Sequence, residues 1–402
     1  MIESDVIVVG AGPAGATAAL CLARAGVRVL LVDKNRNEHE KVCGGGLLRG
    51  SLRQLKHLGL LEQIVGTQAV APSGARIVAP NGTVANLPFP KPTGDESGFI
   101  RIIRRADLDN ALVQAACSAG ATFMPGLHAS SLSNNDQGAT IEAEERGQRI
   151  SLRSQLVIAA DGATGIFSRR LGLSPKSQTC LAVRAYVASD DRYPDMTDFL
   201  FLPQTLPLYC WVFPVAPGLC NVGLALGPGR DAGLVEQLRR TIAETPALRD
   251  RLPSAEIVGG IQGGILRTGL DAQAVFGERL LAVGDAAALV SPLTGEGIKQ
   301  ALVSGELAAM TALDAFKQGD FSGTALAPYG RKLESAFARR NRQLVLLNTL
   351  ISRPFVMNRM VRLLDSDQPL QNLLQGTLAN PQTWGVGSLA KLLARILFAN
   401  SR

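Results

Sequence analysis

The clearest chemistry lies near the amino terminus, in Gly10-Ala11-Gly12-Pro13-Ala14-Gly15 and in a single acid, Asp33, 18 residues beyond Gly15. The G-x-G-x-x-G spacing suits the pyrophosphate of a dinucleotide. Gly10 allows a tight turn, Gly12 lets backbone approach the phosphates, and Gly15 lets the following helix pack close to the preceding strand. The amino terminus of that helix then faces the diphosphate charge. Asp33 can accept hydrogen bonds from the adenosine ribose hydroxyls and would repel a 2′-phosphate. This motif alone fits FAD and NAD equally.

A second set of residues lies far downstream. Gly284-Asp285 closes the apolar run from Arg279 to Val283, and Ser291 to Ile298 follows as a loop opening a helix. Asp285 is placed to hold the ribityl hydroxyls of a flavin. Gly295 and Gly297 free backbone amides at the helix start to face the N1 and O2 edge of the ring, where the negative charge of reduced flavin is stabilised. Between the two sets come Arg105-Ala106-Asp107, leading into a helix, and Asp161-Gly162, ending the apolar run Leu156 to Ala160. Taken singly, Arg105 reads as a helix-start salt bridge and Asp161-Gly162 as a turn. Four elements in this order read as an FAD site.

Two further segments narrow the chemistry. In Lys41-Val42-Cys43-Gly44-Gly45-Gly46-Leu47, three glycines bring backbone against something planar or charged, and Cys43 offers a thiol. A buried packing role is the plain alternative for that cysteine. In Tyr209-Cys210-Trp211-Val212-Phe213-Pro214, a strand would turn Tyr209, Trp211 and Phe213 to one face. Such a wall suits a greasy, rigid ligand such as a polyprenyl chain, although aromatics also suit ordinary sheet core.

Together these segments resemble the flavoprotein superfamily of the aromatic hydroxylases. Within it they resemble the geranylgeranyl reductase family, which saturates isoprenoid double bonds in chlorophyll precursors, archaeal lipids and menaquinone. The C-G-G segment, the Y-x-W-x-F-P motif and Gly295-Glu296-Gly297-Ile298 carry the resemblance, over roughly residues 1–330. It implies FAD contacts from Ala14, Asp33, Cys43, Gly44, Gly46, Arg105, Asp285, Gly297 and Ile298. With Gly10, Gly12, Gly15, Asp161, Gly284 and Gly295 these form the expected cofactor set. Cys43 is also the candidate catalytic residue, and Tyr209, Trp211 and Phe213 face the substrate. Gly223-Leu224-Ala225 and Gly264-Ile265-Leu266-Arg267 depart from the family pattern and leave the substrate's identity open.

The elements that must position these residues follow from periodicity. A strand is expected over residues 5–9, a small-residue helix ending at Gly26, and a second strand over 27–32. Segments 70–100 and 175–275 alternate apolar and polar residues with Pro and Gly punctuation, as a sheet does. The expected fold is α/β: a discontinuous Rossmann-like FAD-binding domain with an inserted antiparallel β-sheet substrate domain and a C-terminal helical segment. The FAD-binding domain takes residues 1–70, 101–174 and 276–330, the substrate domain 71–100 and 175–275, and the helical region 331–402. In the last, Leu389, Leu392, Leu393 and Ile396 with Lys391 and Arg395 between them read as a basic amphipathic helix. It either packs on its own protein or docks on an anionic membrane.

Composition excludes several classes. With 46% hydrophobic and 19% charged residues among 402, the chain buries a large core and is not disordered. The net charge of +7 comes without basic runs interleaved with aromatics, which argues against a nucleic-acid partner. The six cysteines form no C-x-x-C pair and the three histidines lack ligand spacing, so a reduced, cytoplasmic protein without metal is expected. No apolar run approaches the about 18 residues of a spanning helix, and the first strand leaves no room for a signal peptide. Contact with membrane would be peripheral. Nothing in the sequence sets a subunit count.

The expected reaction is hydride transfer from reduced FAD to an alkene carbon of a hydrophobic or lipid-like substrate, with an acid or water supplying the proton. With no second nucleotide motif, NAD(P)H would bind transiently or a ferredoxin-like donor would replace it. An FAD-dependent monooxygenase or halogenase acting through a peroxyflavin is the main alternative, although halogenases show W-x-W-x-I-P where this chain has Tyr209 to Pro214. A quinone-reducing electron-transfer flavoprotein would want clustered thiolates, and none follows Cys220. A flavin-free surface-binding protein would purify colourless.

Overall fold

The computed structural model describes residues 1–36, 41–66, 69–90, 98–171, 178–188, 195–229, 233–292, 294–338 and 348–379. Four short apolar runs, Val6–Val9, Val29–Asp33, Leu156–Ala159 and Leu280–Ala282, lie side by side in parallel, with Thr122–Pro125 extending the sheet beyond Val29–Asp33. Phe276–Gly277 closes the other edge antiparallel, giving six strands. The four runs are buried throughout, as strands covered on both faces must be. One face carries the helices Pro13–Arg24, Arg105–Ser118 and Ile298–Gln318. Against the other lies a four-stranded sheet of Ile2–Glu3, His128–Asn135, Gly138–Glu145 and Gln148–Ser154. Because the central strands run parallel, their carboxyl ends share one edge, where open α/β sheets bind ligands.

Element boundaries differ from expectation in two places that matter. The second strand starts at Val29 rather than at residue 27, and it includes Asp33, so the acid is held by the sheet. The downstream strand is only Leu280–Ala282. Gly284, at φ +59°, breaks the extended run, and Gly284–Ala287 forms a 3₁₀ turn that carries Asp285.

Residues from two separate stretches build a seven-stranded sheet in the order Glu256–Thr268, Gln178–Ala188, Leu219–Leu226, Cys210–Ala216, Met196–Leu200, Gly74–Val78, Val84–Pro88. It is antiparallel except for Met196–Leu200 beside Gly74–Val78, the seam where the early stretch meets the late one. The inserted sheet is antiparallel as expected apart from that seam, because two strands from different crossings are not bound to the alternation that hairpins impose. A ribbon of Gly46–Leu48 with Ile100–Ile102 bridges the two parts of the molecule.

Toward the C-terminus, helix Pro354–Leu364 packs on Val84–Pro88, followed by Gln368–Ala379. The amphipathic segment expected around Leu389 to Ile396 lies outside the described residues. Among the described residues no helix is long and apolar enough to cross a membrane.

Candidate active site

At the shared carboxyl edge opens a cavity of about 730 Å³, within the range of cofactor sites. Gly10, Gly12, Ala14, Asp33, Arg105, Asp161, Gly284 and Asp285 all line it, together with Lys41 and the Gln262 to Ile265 edge of the seven-stranded sheet.

Its nucleotide end is built by the first strand, glycine loop and helix. Gly10 adopts φ +105°, and a Cβ there would collide with the Ala160 carbonyl. Gly15 is just as crowded, with the Gly10 carbonyl in the space a Cβ would need. Gly12, by contrast, has nothing within 4 Å of its missing Cβ and caps helix Pro13–Arg24, so the open side of the loop is the side toward the cavity. The first-turn amides of a helix attract anions. Asp33 steadies this loop: its Oδ2 accepts from the Ala11 N–H at 2.8 Å, and its Oδ1 from the Asn35 N–H and Nδ2 at 2.8 and 2.9 Å.

The middle of the cavity holds charge. Arg105 opens its helix, buried, in a bidentate pair with Asp109 at 2.6 and 2.9 Å. The salt bridge read as its plain alternative is therefore present, and the residue lines the cavity as well. Lys41 Nζ meets Asp285 Oδ2 at 2.6 Å. Sequence reasoning left this pair out, because the partners lie 244 residues apart and only folding brings them together. Asp161 accepts from the Phe167 N–H through Oδ2 at 3.1 Å, while its buried Oδ1 has no partner. Burial raises the Asp161 carboxyl above the usual range, only partly offset by backbone N–H groups including that of Phe167. An unpartnered acceptor in a cavity asks for a donor that a ligand can supply.

The far end is assembled from loops. Ser291 N–H donates to the Glu296 carbonyl and Gly295 N–H to that of Ser291, shaping the turn before helix Ile298–Gln318. Gly297 caps that helix, 3.5 Å from Asp285 Oδ1 measured from its missing Cβ, and Ile298 begins it, buried. Gly295 sits at φ +66° with open space around it. Cys43 follows Lys41 and Val42, which line the cavity, and is half-buried, its Sγ accepting from the Gly45 N–H at 3.3 Å; Cys43, Gly44, Gly46, Gly295, Gly297 and Ile298 lie beyond that lining. Cys43 is within electrostatic reach of Arg105 and Tyr209.

The aromatic segment packs on that loop. Tyr209 precedes strand Cys210–Ala216 by one residue, and Tyr209 and Trp211 stack edge to face at 6.4 Å. Trp211 and Phe213 are buried, and both rings press on Gly44, whose missing Cβ would lie 2.8 Å from Phe213 and 3.1 Å from Trp211 Nε1. The planar groups admitted by the glycine segment thus include the chain's own rings; Gly46 also faces Phe213, at 3.6 Å. Opposite Trp211 in register is Gly223, where a side chain would strike the indole. Sequence reading missed Asn221, which bonds Trp211 Nε1 and the Cys43 carbonyl, and the wall at Gly263 and Gly264. The repeated Gly-Gly pairs in strand Glu256–Thr268 were the available signal, since glycine inside a strand marks a close approach.

A hollow of about 920 Å³ on the outer side of the seven-stranded sheet is larger but carries none of these motifs; its Arg76 is committed to the buried Asp198 at 2.8 Å.

Open backbone at a helix start, an unpartnered acceptor and an acid beside a second helix start form a cradle that fits an extended dinucleotide carrying a ring. Comparison with known proteins agrees. The FAD binding domain profile matches residues 3–198. Digeranylgeranylglycerophospholipid reductase 2 of Methanosphaera stadtmanae is 31% identical over 342 residues, covering 82% of each chain. A geranylgeranyl bacteriochlorophyll reductase-like protein of Thermoplasma acidophilum superposes with a TM-score of 0.82 at 25% identity, over 99% of this chain and 97% of that one. The flavin-dependent halogenase CmlS shares the fold, with a TM-score of 0.72 at 23% identity, over 92% of this chain and 67% of its own.

Proposed function

Because the chain belongs to the geranylgeranyl reductase family of FAD-dependent oxidoreductases, we propose that it saturates carbon–carbon double bonds in the isoprenoid chain of a lipid. The observation that carries this reading is the apposition of an apolar aromatic wall, Tyr209, Trp211 and Phe213, to the thiol-bearing loop at the end of the cofactor cavity.

Reduced FAD, when bound, supplies the hydride for one alkene carbon. The protein's own residues do the rest. Gly10, Gly12, Ala14 and Gly15 would present the first helix start to the pyrophosphate, and Asp33 would meet the adenosine ribose. Arg105 and Asp285, the latter paired with Lys41, would hold the ribityl chain. Asp161 and Gly284 complete the cradle. Gly295, Gly297 and Ile298 would offer amides to the pyrimidine edge, and Cys43, Gly44 and Gly46 would contact the ring. The Cys43 thiol would supply the proton for the second alkene carbon. Buried rings fix an apolar chain with little loss of rotamer freedom and keep water from the reacting carbons. Electrons come from NAD(P)H bound transiently or from another external donor.

A lipid substrate places the enzyme at a membrane surface, and charge supports this. Residues 331–402 hold eleven Lys and Arg against three Asp and Glu, whereas the remainder holds 30 against 31. Phe355, 67% exposed at the start of helix Pro354–Leu364, stands beside exposed Arg353. That asymmetry supports peripheral contact with anionic lipid.

The test is anaerobic incubation of the dithionite-reduced holoenzyme with a geranylgeranyl-chained glycerophospholipid. A mass gain of two hydrogens per double bond is expected. Unchanged lipid, or an aerobic product heavier by one oxygen, would replace this reading with another substrate or with oxygenase chemistry.

A further inference from the structure

The aromatic strand does more than offer a wall, because its polar atoms are tied, directly or through Asn221, to the loops that carry Thr294 and Cys43. Tyr209 Oη donates to the Thr294 carbonyl at 2.6 Å, across 85 residues. Trp211 Nε1 donates to Asn221 Oδ1 at 2.9 Å, and Asn221 Nδ2 donates to the Cys43 carbonyl at 2.8 Å, across 178 residues. Asn221 faces Phe213 in register, and Phe213 rests on Gly44. One strand pair of the seven-stranded sheet therefore grips both the turn that leads to Gly297 and the loop that begins at Cys43.

The two grips act on different sides of the same space. Thr294 is itself part of a fixed turn: its N–H is bonded to Ser291 Oγ, and its Oγ1 accepts from the Glu296 N–H at 3.3 Å. A pull on its carbonyl is thus transmitted to the amides at Gly295 to Gly297. Tyr209 is locked by edge-to-face contacts with Phe199 at 5.2 Å and Phe201 at 5.8 Å, so its hydroxyl has little freedom to leave. Burial pushes the phenol's pKa up, which keeps it a neutral donor.

We propose that Tyr209 and Asn221 are positioning residues that hold the Thr294 turn and the Cys43 loop in register and so set how FAD is seated even when no substrate is present. This rests on the FAD-dependent reading above and adds to it: the segment assigned to substrate also tunes the cofactor. It gives the sheet a direct mechanical link from substrate wall to flavin site.

The test uses substrate-free holoenzyme and two variants. Tyr209→Phe keeps the ring and its contacts but removes the bond to Thr294; Asn221→Leu keeps the bulk but removes both of its bonds. In each, the FAD dissociation constant is expected to rise about three- to tenfold, the scale of one lost neutral hydrogen bond. The visible flavin band and the midpoint potential are expected to move with it. Wild-type affinity, spectrum and potential in both variants, with only the KM for lipid raised, would overturn the proposal and leave the segment a substrate wall alone. A lowered melting temperature without any flavin change would also overturn it, as a merely structural tie. If Tyr209→Phe does not fold, Asn221→Leu reads the same quantities. A wild type that takes up no FAD would overturn both this proposal and the reading beneath it.

Discussion

The two ends of the cavity are made in different ways. At the nucleotide end one continuous stretch, residues 6–33, supplies strand, glycine loop, helix and acid, and the contacts that shape its loop are largely local: Gly15 against Gly10, Asp33 to Ala11 and the nearby Asn35. At the ring end short local turns are joined by long-range contacts. Cys43, Tyr209, Asn221, Asp285 and Thr294 come from five stretches, joined by bonds such as Lys41 to Asp285 and Asn221 to Cys43. A pyrophosphate needs the same geometry in every dinucleotide enzyme, so a local motif suffices. A ring and its substrate need a site shaped to one reaction, which a sheet inserted between the cofactor segments can vary without disturbing the phosphate loop.

That difference predicts what mutations do at each end. The largest effect belongs to Gly15→Val, which drives a branched side chain into the Gly10 carbonyl. It is expected to cost about 3 kcal/mol or more and to yield protein without bound flavin, read by chemical denaturation and visible absorbance. A yellow Gly15→Val variant of normal stability would show that the nucleotide end is looser than its packing implies.

At the ring end the expectation reverses. Cys43→Ser keeps bulk and a hydrogen-bonding atom, so FAD uptake and melting temperature are expected to stay near wild type while turnover falls about a hundredfold, the scale of a lost positioned proton donor. Single-turnover reoxidation of reduced enzyme by lipid measures it. Wild-type rates would remove Cys43 from the chemistry and leave it as packing.

The smallest effect lies between the two ends. Ionising Asp161 costs folding stability, because its folded pKa is raised above the unfolded one. That cost is absent below the ordinary Asp range and grows as pH rises through the folded pKa. Asp161→Asn is therefore expected to be more stable than wild type near neutral pH in the flavin-free protein. The gap should close as pH falls below about 4. Denaturation midpoints across pH measure it, and a gap that does not change with pH would clear the carboxylate of responsibility.

What could be read without the structure follows the same division. The glycine loop, Asp33, the importance of Gly284-Asp285 and the mixed α/β layering were legible, because each depends on residues close in sequence: apolar runs buried on both faces, and glycines where a carbonyl leaves no room for a Cβ. The parallel seam between Met196–Leu200 and Gly74–Val78 was not, since no local pattern records which strand a distant strand will meet. Tyr209, Trp211 and Phe213 were recognised as one face, yet their polar partners were hidden.

The sequence alone determined that this chain would build a dinucleotide cradle of strand, glycine turn and helix, because backbone sterics and hydrophobic periodicity act over a few residues. Only the tertiary structure decided that Lys41 would answer Asp285, and that one aromatic strand would hold both loops at the ring end. Hydrogen bonds and ion pairs between residues 85 to 244 positions apart exist only once two sheets have packed, and packing is a property of the whole chain.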